Sequence, residues 1–266
     1  MAGRAPIIGL YDYSPTATVS GGGFVNDPAT MLDPKPQATA VSGGGGVGFS
    51  INLSASANIG LVHFQNLVAD PGASVSVSFG TYGQTLSAAP QDLNGLYPPW
   101  LVERLGRTRF FIPPAPTVAS SVNISIGGSG TAVQIGYVGI LSIWQAPIGQ
   151  KFGWGITVKD LSTIDRVTYG SPYRTIKQGL RVLNLGFDWL RQGGIYGDLT
   201  DQVFEDGNAF DAAVIAGKGF PTAGVPFPDD AGNIERQSVG GFINTDQQFL
   251  NPNFATWDTS FSIEQM

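Results

Sequence analysis

Residues 132–147 read Ala-Val-Gln-Ile-Gly-Tyr-Val-Gly-Ile-Leu-Ser-Ile-Trp-Gln-Ala-Pro. Side chains of an extended chain alternate between two faces. The alternation puts Val133, Ile135, Tyr137, Leu141 and Ile143 on one face and Val138, Ile140 and Trp144 on the other. A strand that is apolar on both faces is buried on both. Gly136 and Gly139 interrupt the pattern, as glycine does at a bulge or where another group approaches the backbone. The stretch reads as the closing strand of a first, β-rich domain, with Pro147–Trp154 as the hinge to a second.

Upstream, short apolar runs alternate with turn residues. Val47–Leu53 and Ile59–Leu67 read as strands, the second with Ile59, Leu61, His63 and Gln65 on one face and Val62, Phe64 and Asn66 on the other. Ser74–Phe79 alternates Val75, Val77 and Phe79 with three serines, the pattern of a half-buried strand. Arg107–Ile112 and Ser121–Ile126 are two further strands, and residues 83–106 a long connection. Residues 1–46, with glycine runs at 21–23 and 43–46, read as an irregular arm carrying the first strands. Many strands without helical patterning predict a sandwich or jelly roll over residues 47–147.

Downstream the pattern changes. Leu183, Leu185, Phe187 and Trp189 alternate within Gly179–Leu190, and Gly240–Ile243 and Thr256–Glu264 are late strands. Asp198 is placed to cap a helix over Leu199–Ile215, and Gly217–Gly232 reads as a Pro/Gly loop. The expected fold is mainly β, an N-terminal jelly-roll β-sandwich followed by a smaller α+β domain over residues 148–266.

Composition narrows the function. The formal charge of −6 lacks the basic excess of a nucleic-acid binder. No apolar run is long enough to insert in a membrane, and Met1–Pro6 does not open a secretory signal, so the expected setting is a cytoplasm without export. Cysteine is absent, which removes disulfides, thiolate metal sites and a cysteine nucleophile. Charged residues make up 13% of the chain, about half the usual share. A subunit buried among neighbours tolerates that. Charge is also segregated. Seven Lys or Arg between Lys151 and Arg191 face three acids, whereas two bases after residue 191 face eleven acids. Either this is scattered surface charge or a basic and an acidic face meet between subunits.

Catalytic constellations are hard to assemble. His63 is the single histidine and lies in an apolar strand, so it reads as a structural residue. Residues 43–48 match a dinucleotide-binding glycine pattern, but a strand follows where a helix is needed. The acids Asp198, Asp201, Glu205, Asp206 and Asp211 lack the ligand order of a calcium loop, and no local motif marks a glycosidase carboxylate pair. Asn52 and Asn123 open glycosylation sequons of no consequence without export. The expectation is no enzyme, no cofactor and no metal. Exposed aromatics remain as site candidates. Tyr97, Trp100, Tyr82 and Tyr11 are suited to stack on sugar rings, and Trp100, after two prolines, equally suits a subunit contact. Trp100, Tyr97 and Arg174 are the candidate interface or glycan-contact residues.

The strand series Phe49–Leu53, Ile59–Leu67, Ser74–Phe79, Arg107–Pro113 and Val133–Val138 resembles the discoidin-like, galactose-binding-type jelly rolls of tailed-phage virion proteins. The region from Arg181 to the closing Thr-Ser-Phe-Ser-Ile-Glu at 259–264 resembles the ends of tail-tip and distal-tail proteins. The resemblance implies a structural virion subunit of a long-tailed phage, made in the host cytoplasm and built into a tail-tip or baseplate ring. It implies a homo-oligomer of six, with tube and hub proteins as neighbours and host-surface glycan as a further partner. The alternative expectation is a carbohydrate-binding module for host-surface attachment.

Overall fold

The computed structural model describes residues 4–35, 37–70, 72–88, 107–145, 154–166, 172–175, 179–191, 221–243, 248–253 and 256–265. The first strands are β1 (Ile7–Asp12), β2 (Thr18–Gly21), β3 (Ala40–Val41), β4 (Val47–Ile59), β5 (Leu61–Val68), β6 (Ser74–Phe79), β7 (Tyr82–Ser87), β8 (Arg109–Phe111), β9 (Thr117–Gly127) and β10 (Gln134–Gln145). They are followed by β11 (Gly155–Lys159), β12 (Thr163–Arg166), β13 (Pro172–Thr175), β14 (Leu180–Arg191), β15 (Thr222–Val225), β16 (Val239–Ile243), β17 (Gln248–Asn253) and β18 (Thr256–Gln265). A single-turn helix, α1 (Ile234–Gln237), precedes β16.

The chain is mainly β, and its first half is a jelly-roll-like sandwich. One layer is the five-stranded sheet β2-β4-β9-β6-β7. The other is the end β1-β10-β5-β8 of an eleven-stranded sheet. Alternating residues of both layers interdigitate: Phe49, Ile51, Val75, Val77, Val122 and Ile124 against Val62, Phe64, Leu67, Val138 and Ile140. β6 has the expected alternation, with Val75, Val77 and Phe79 buried and its serines turned outward.

β10 is buried on both faces, as its composition requires. One face closes the sandwich, and the other is covered by the second half of the chain, where Leu61, Phe110, Leu141, Ala223, Val225 and Ile234 share a cluster. The two faces are not assigned as simple alternation expects. Val133 and Ile135 lie on the sandwich side with Val138 and Ile140, not with Tyr137 and Leu141. The phase changes at Gly136, beside Asn66 of β5, whose φ of 52° is the one positive value among the described non-glycine residues. Both strands therefore change phase together and their pairing register survives.

The second half joins the same sheet. Its order runs β11-β14-β18-β16-β15-β1-β10-β5-β8. The sheet curls so far that β16 touches β5: a Cβ on Gly240 would stand 2.5 Å from Gln65 Nε2 and 2.8 Å from His63 Nδ1. Small residues on the inner face, Gly139 and Gly240 among them, permit that approach.

Several sequence expectations need correction. The connection at 83–106 opens with strand β7, which pairs with β6 through a two-residue turn in which Gly80 has φ 52°. The Pro/Gly loop at 217–232 contains β15, four buried residues too short to show a period. β15 is held by pairing to β1 and by the Thr222 hydroxyl, which donates to the Gly9 carbonyl. Within the arm at 1–46, β1 occupies the middle of the large sheet between β10 and β15. Ile59 ends β4 rather than opening β5, because Gly60 separates them. The helix expected over 199–215 and the acids from Asp198 to Asp211 lie outside the described residues, as do residues 146–153 at the expected hinge.

Candidate functional site

Trp100 and Tyr97 lie outside the described residues. Arg174 sits in β13 opposite Ile164, and its side chain is outside the description. Tyr82 turns inward: its ring packs on Phe79 at 4.8 Å and its hydroxyl donates to Gln84 Oε1. His63 is completely buried, stacked on Phe110 at 6.1 Å and edge-on to Tyr137 at 5.5 Å. Burial alone lowers its pKa from 6.5 to about 3, so the ring is neutral and packs rather than titrates at ordinary pH.

Tyr11 is different. It is 50% exposed at the end of β1, with its ring edge-on to Tyr13 at 4.9 Å. A buried carboxylate holds this corner in place. Asp12 Oδ1 accepts from the Ser14 amide at 2.9 Å and the Ile140 amide at 3.3 Å, and Oδ2 accepts from the Tyr137 hydroxyl. The Ile140 amide also donates to Ser14 Oγ at 2.9 Å, and the Tyr13 amide donates to the Ile140 carbonyl at 2.9 Å. The chain turns out of β1 at an aspartate that bonds the amide two residues on, a local turn that this side chain favours. Burial pushes the Asp12 carboxyl above its ordinary value against those hydrogen bonds, and burial together with Asp12 pushes the Tyr137 phenol up.

The corner is therefore an aromatic pair on a fixed turn, with the Thr16 hydroxyl donating to the Tyr13 carbonyl at 3.3 Å. The Tyr11 amide donates to Ser142 Oγ at 3.2 Å, and Thr16 Oγ1 lies 3.3 Å from Ser54 Oγ. Asp12 is too buried to meet a substrate, and its bonds to the Ser14 and Ile140 amides fix the backbone turn that carries Tyr11 and Tyr13. Among the described residues no cluster of three His, Cys, Asp or Glu could hold a metal ion. The sequence named Tyr11 among four aromatics, and the Tyr-Asp-Tyr-Ser run at 11–14 was the signal that a turn fixes it.

The basic segment reaches the acidic region of its own chain at two places, once as an ion pair and once through backbone carbonyls. Lys159 Nζ lies 3.5 Å from Glu264 Oε1, and the Arg181 guanidinium donates to the carbonyls of Glu235 and Arg236 at the end of α1. Two of the seven bases between Lys151 and Arg191 thus have partners in their own chain.

No protein-family model matches the chain, and no curated protein sequence does. Solved structures do match. The fucose binding module SpX-3 of Streptococcus pneumoniae is 9% identical, with a TM-score of 0.37 over 50% of this chain and 98% of that one. CBM32-1 from a family 31 glycoside hydrolase of Clostridium perfringens is 13% identical, with a TM-score of 0.36 over 50% of this chain and 99% of that one. The family 32 CBM of C. perfringens NanJ, solved with galactose, is 12% identical, with a TM-score of 0.36 over 51% of this chain and 99% of that one.

Proposed function

We propose that this chain is a non-catalytic attachment module that binds a neutral host-surface glycan at the Tyr11–Tyr13 corner. One observation carries the reading: a half-exposed tyrosine, paired edge-on with a second, stands on a turn whose backbone the buried Asp12 ties to β10. Tyrosine offers a large amphipathic contact at low entropic cost. A ring fixed before binding loses little further freedom when a sugar stacks on it. The Thr16 hydroxyl, bonded to the Tyr13 carbonyl and 3.3 Å from Ser54 Oγ, supplies a neutral donor and acceptor on the same turn.

A glycan array followed by calorimetry on the best ligand tests this. Wild type gives a signal that Tyr11→Ala loses at unchanged melting temperature. No signal from wild type, or equal affinity of the variant, overturns the reading. Trp100→Ala, run beside it, asks whether the other aromatic candidate takes part.

A second reading is a structural virion subunit in the distal-tail or tail-tip ring of a long-tailed phage. The 13% share of charged residues favours it, because a surface enclosed by neighbours needs little charge. Negative-stain images of the purified protein test it: closed rings support this reading, and dispersed single chains oppose it.

A further inference from the structure

The outer face of the five-stranded sheet is built from neutral hydroxyls and amides. No residue of β2, β4, β6, β7 or β9 is Asp, Glu, Lys or Arg. Ser20, Ser50, Asn123 and Ser78 stand side by side across four of the strands. The Ser50 hydroxyl donates to Asn123 Oδ1 at 2.7 Å, and Ser76 and Thr85 hydroxyls lie 2.8 Å apart. Val118, on β9, is 65% exposed. The edge strands β2 and β7 carry neither proline nor charge, the devices that ordinarily keep an edge from pairing. Among the described residues the one ionic group bonded to this sheet is Arg109, at the Ser87 end of β7, so the face itself is neutral on a chain of net charge −6.

We infer that this face is a self-association surface and that its occupant is the same face of a second copy. In a two-fold contact each residue near the axis meets its own kind. Any charge there meets a like charge, which costs affinity. Donor-only or acceptor-only groups cannot pair with themselves, whereas serine, threonine and asparagine both donate and accept. A face without a single ionic group, on an acidic chain, satisfies both conditions. The five strands, of 4, 13, 6, 6 and 11 residues, at ~3.3 Å per residue and ~4.8 Å apart, present ~630 Å², the order of the ~800 Å² that each partner of a standard interface buries. The inference holds whether or not Tyr11 takes a sugar.

Sedimentation velocity on the full chain tests it, using Ser125, which lies outward and opposite Ser76. Wild type sediments as an even number of chains. Ser125→Lys and Ser125→Glu each halve the mass, and mixing the two variants restores it because the two charges then meet as opposites. Ser76→Lys gives the same halving and serves if a Ser125 variant fails to fold. Wild type that remains a single chain as concentration rises overturns the inference, as do variants of undiminished mass. So does retention of single-chain wild type, but not of Ser125→Lys, on a neutral dextran matrix, which would make the face a glycan surface instead.

Discussion

Acid should destabilise this protein through one buried ring. His63 has no exposed surface, and neither ring nitrogen has a hydrogen-bond partner among the described residues. A proton added there would be an uncompensated buried charge. Its pKa accordingly falls from 6.5 to about 3. The unfolded chain takes up that proton below pH ~6.5, and the folded chain does not until about 3. The stabilising contribution of the neutral ring is therefore complete above the unfolded value and is lost as pH falls. Its slope is ~1.4 kcal/mol per pH unit, so ~2 kcal/mol disappears between pH ~6.5 and pH ~5. Urea unfolding of wild type and His63→Gln, followed by tryptophan fluorescence across that range, isolates the effect. Buried carboxyls such as Asp12 and Glu235 titrate in both proteins and cancel in the difference. The free-energy gap between the two should shift by ~2 kcal/mol in favour of the variant on acidification. Parallel pH curves would refute the reasoning and mean that the ring is solvated or partnered in solution.

The glycine beneath that ring gives a second test. A Cβ on Gly139 would stand 2.5 Å from His63 Cδ2, and Gly240 blocks the ring's retreat, so Gly139→Ala should cost ~1–3 kcal/mol. Adding His63→Ala should recover part of that cost in a double-mutant cycle, and simple additivity would contradict the contact. Trp144, wholly buried with its ring at 5.2 Å from Phe187, should lose ~3–5 kcal/mol as Trp144→Ala, and a chemical-denaturation loss under ~1 kcal/mol would argue against it. Asp12 tests the opposite sign of linkage. Its raised pKa means that stability is fully present below the ordinary carboxylate value and is lost as pH rises through the folded one. Asp12→Asn keeps an acceptor for the Ser14 amide and should flatten that decline in melting temperature against pH. An unchanged profile would assign the decline to Glu235, whose carboxyl burial also raises.

Elements whose residues announce their own burial were legible from sequence. Ser74–Phe79 alternates strictly, and the alternation is what the structure shows. Residues 135–141 carry no charged or amide side chain and are enclosed on both sides. β15 was not legible. Thr222–Val225 has two small residues at its centre because the side chains of Leu183 and Ile263 fill the space above Gly224. The reason for its composition lies in other strands. The tyrosine corner was half legible: Tyr11 could be named as an aromatic near a turn, but the partners that fix Asp12 lie 125 and 128 residues away in sequence. The phase change at Gly136 was visible as a glycine, yet its direction depended on Asn66 adopting positive φ on the neighbouring strand.

The central position of β1 has a kinetic consequence. This strand is synthesised well before both of its neighbours, β10 and β15, and Ile7 pairs with Val225. Arg4 reaches as far, its Nε donating to Asp229 Oδ1 at 2.5 Å across 225 positions of sequence. While the ribosome is still short of β15, one edge of β1 has no ladder to join, and the apolar Ile7 and Ile8 await their clusters. Long-range antiparallel closure of this kind must meet its loop entropy before the contacts repay it, so folding should be slow and largely post-translational. The nascent chain would be at its most adhesive in that interval, and holdase chaperones or rapid capture by a partner copy would raise the yield of native protein.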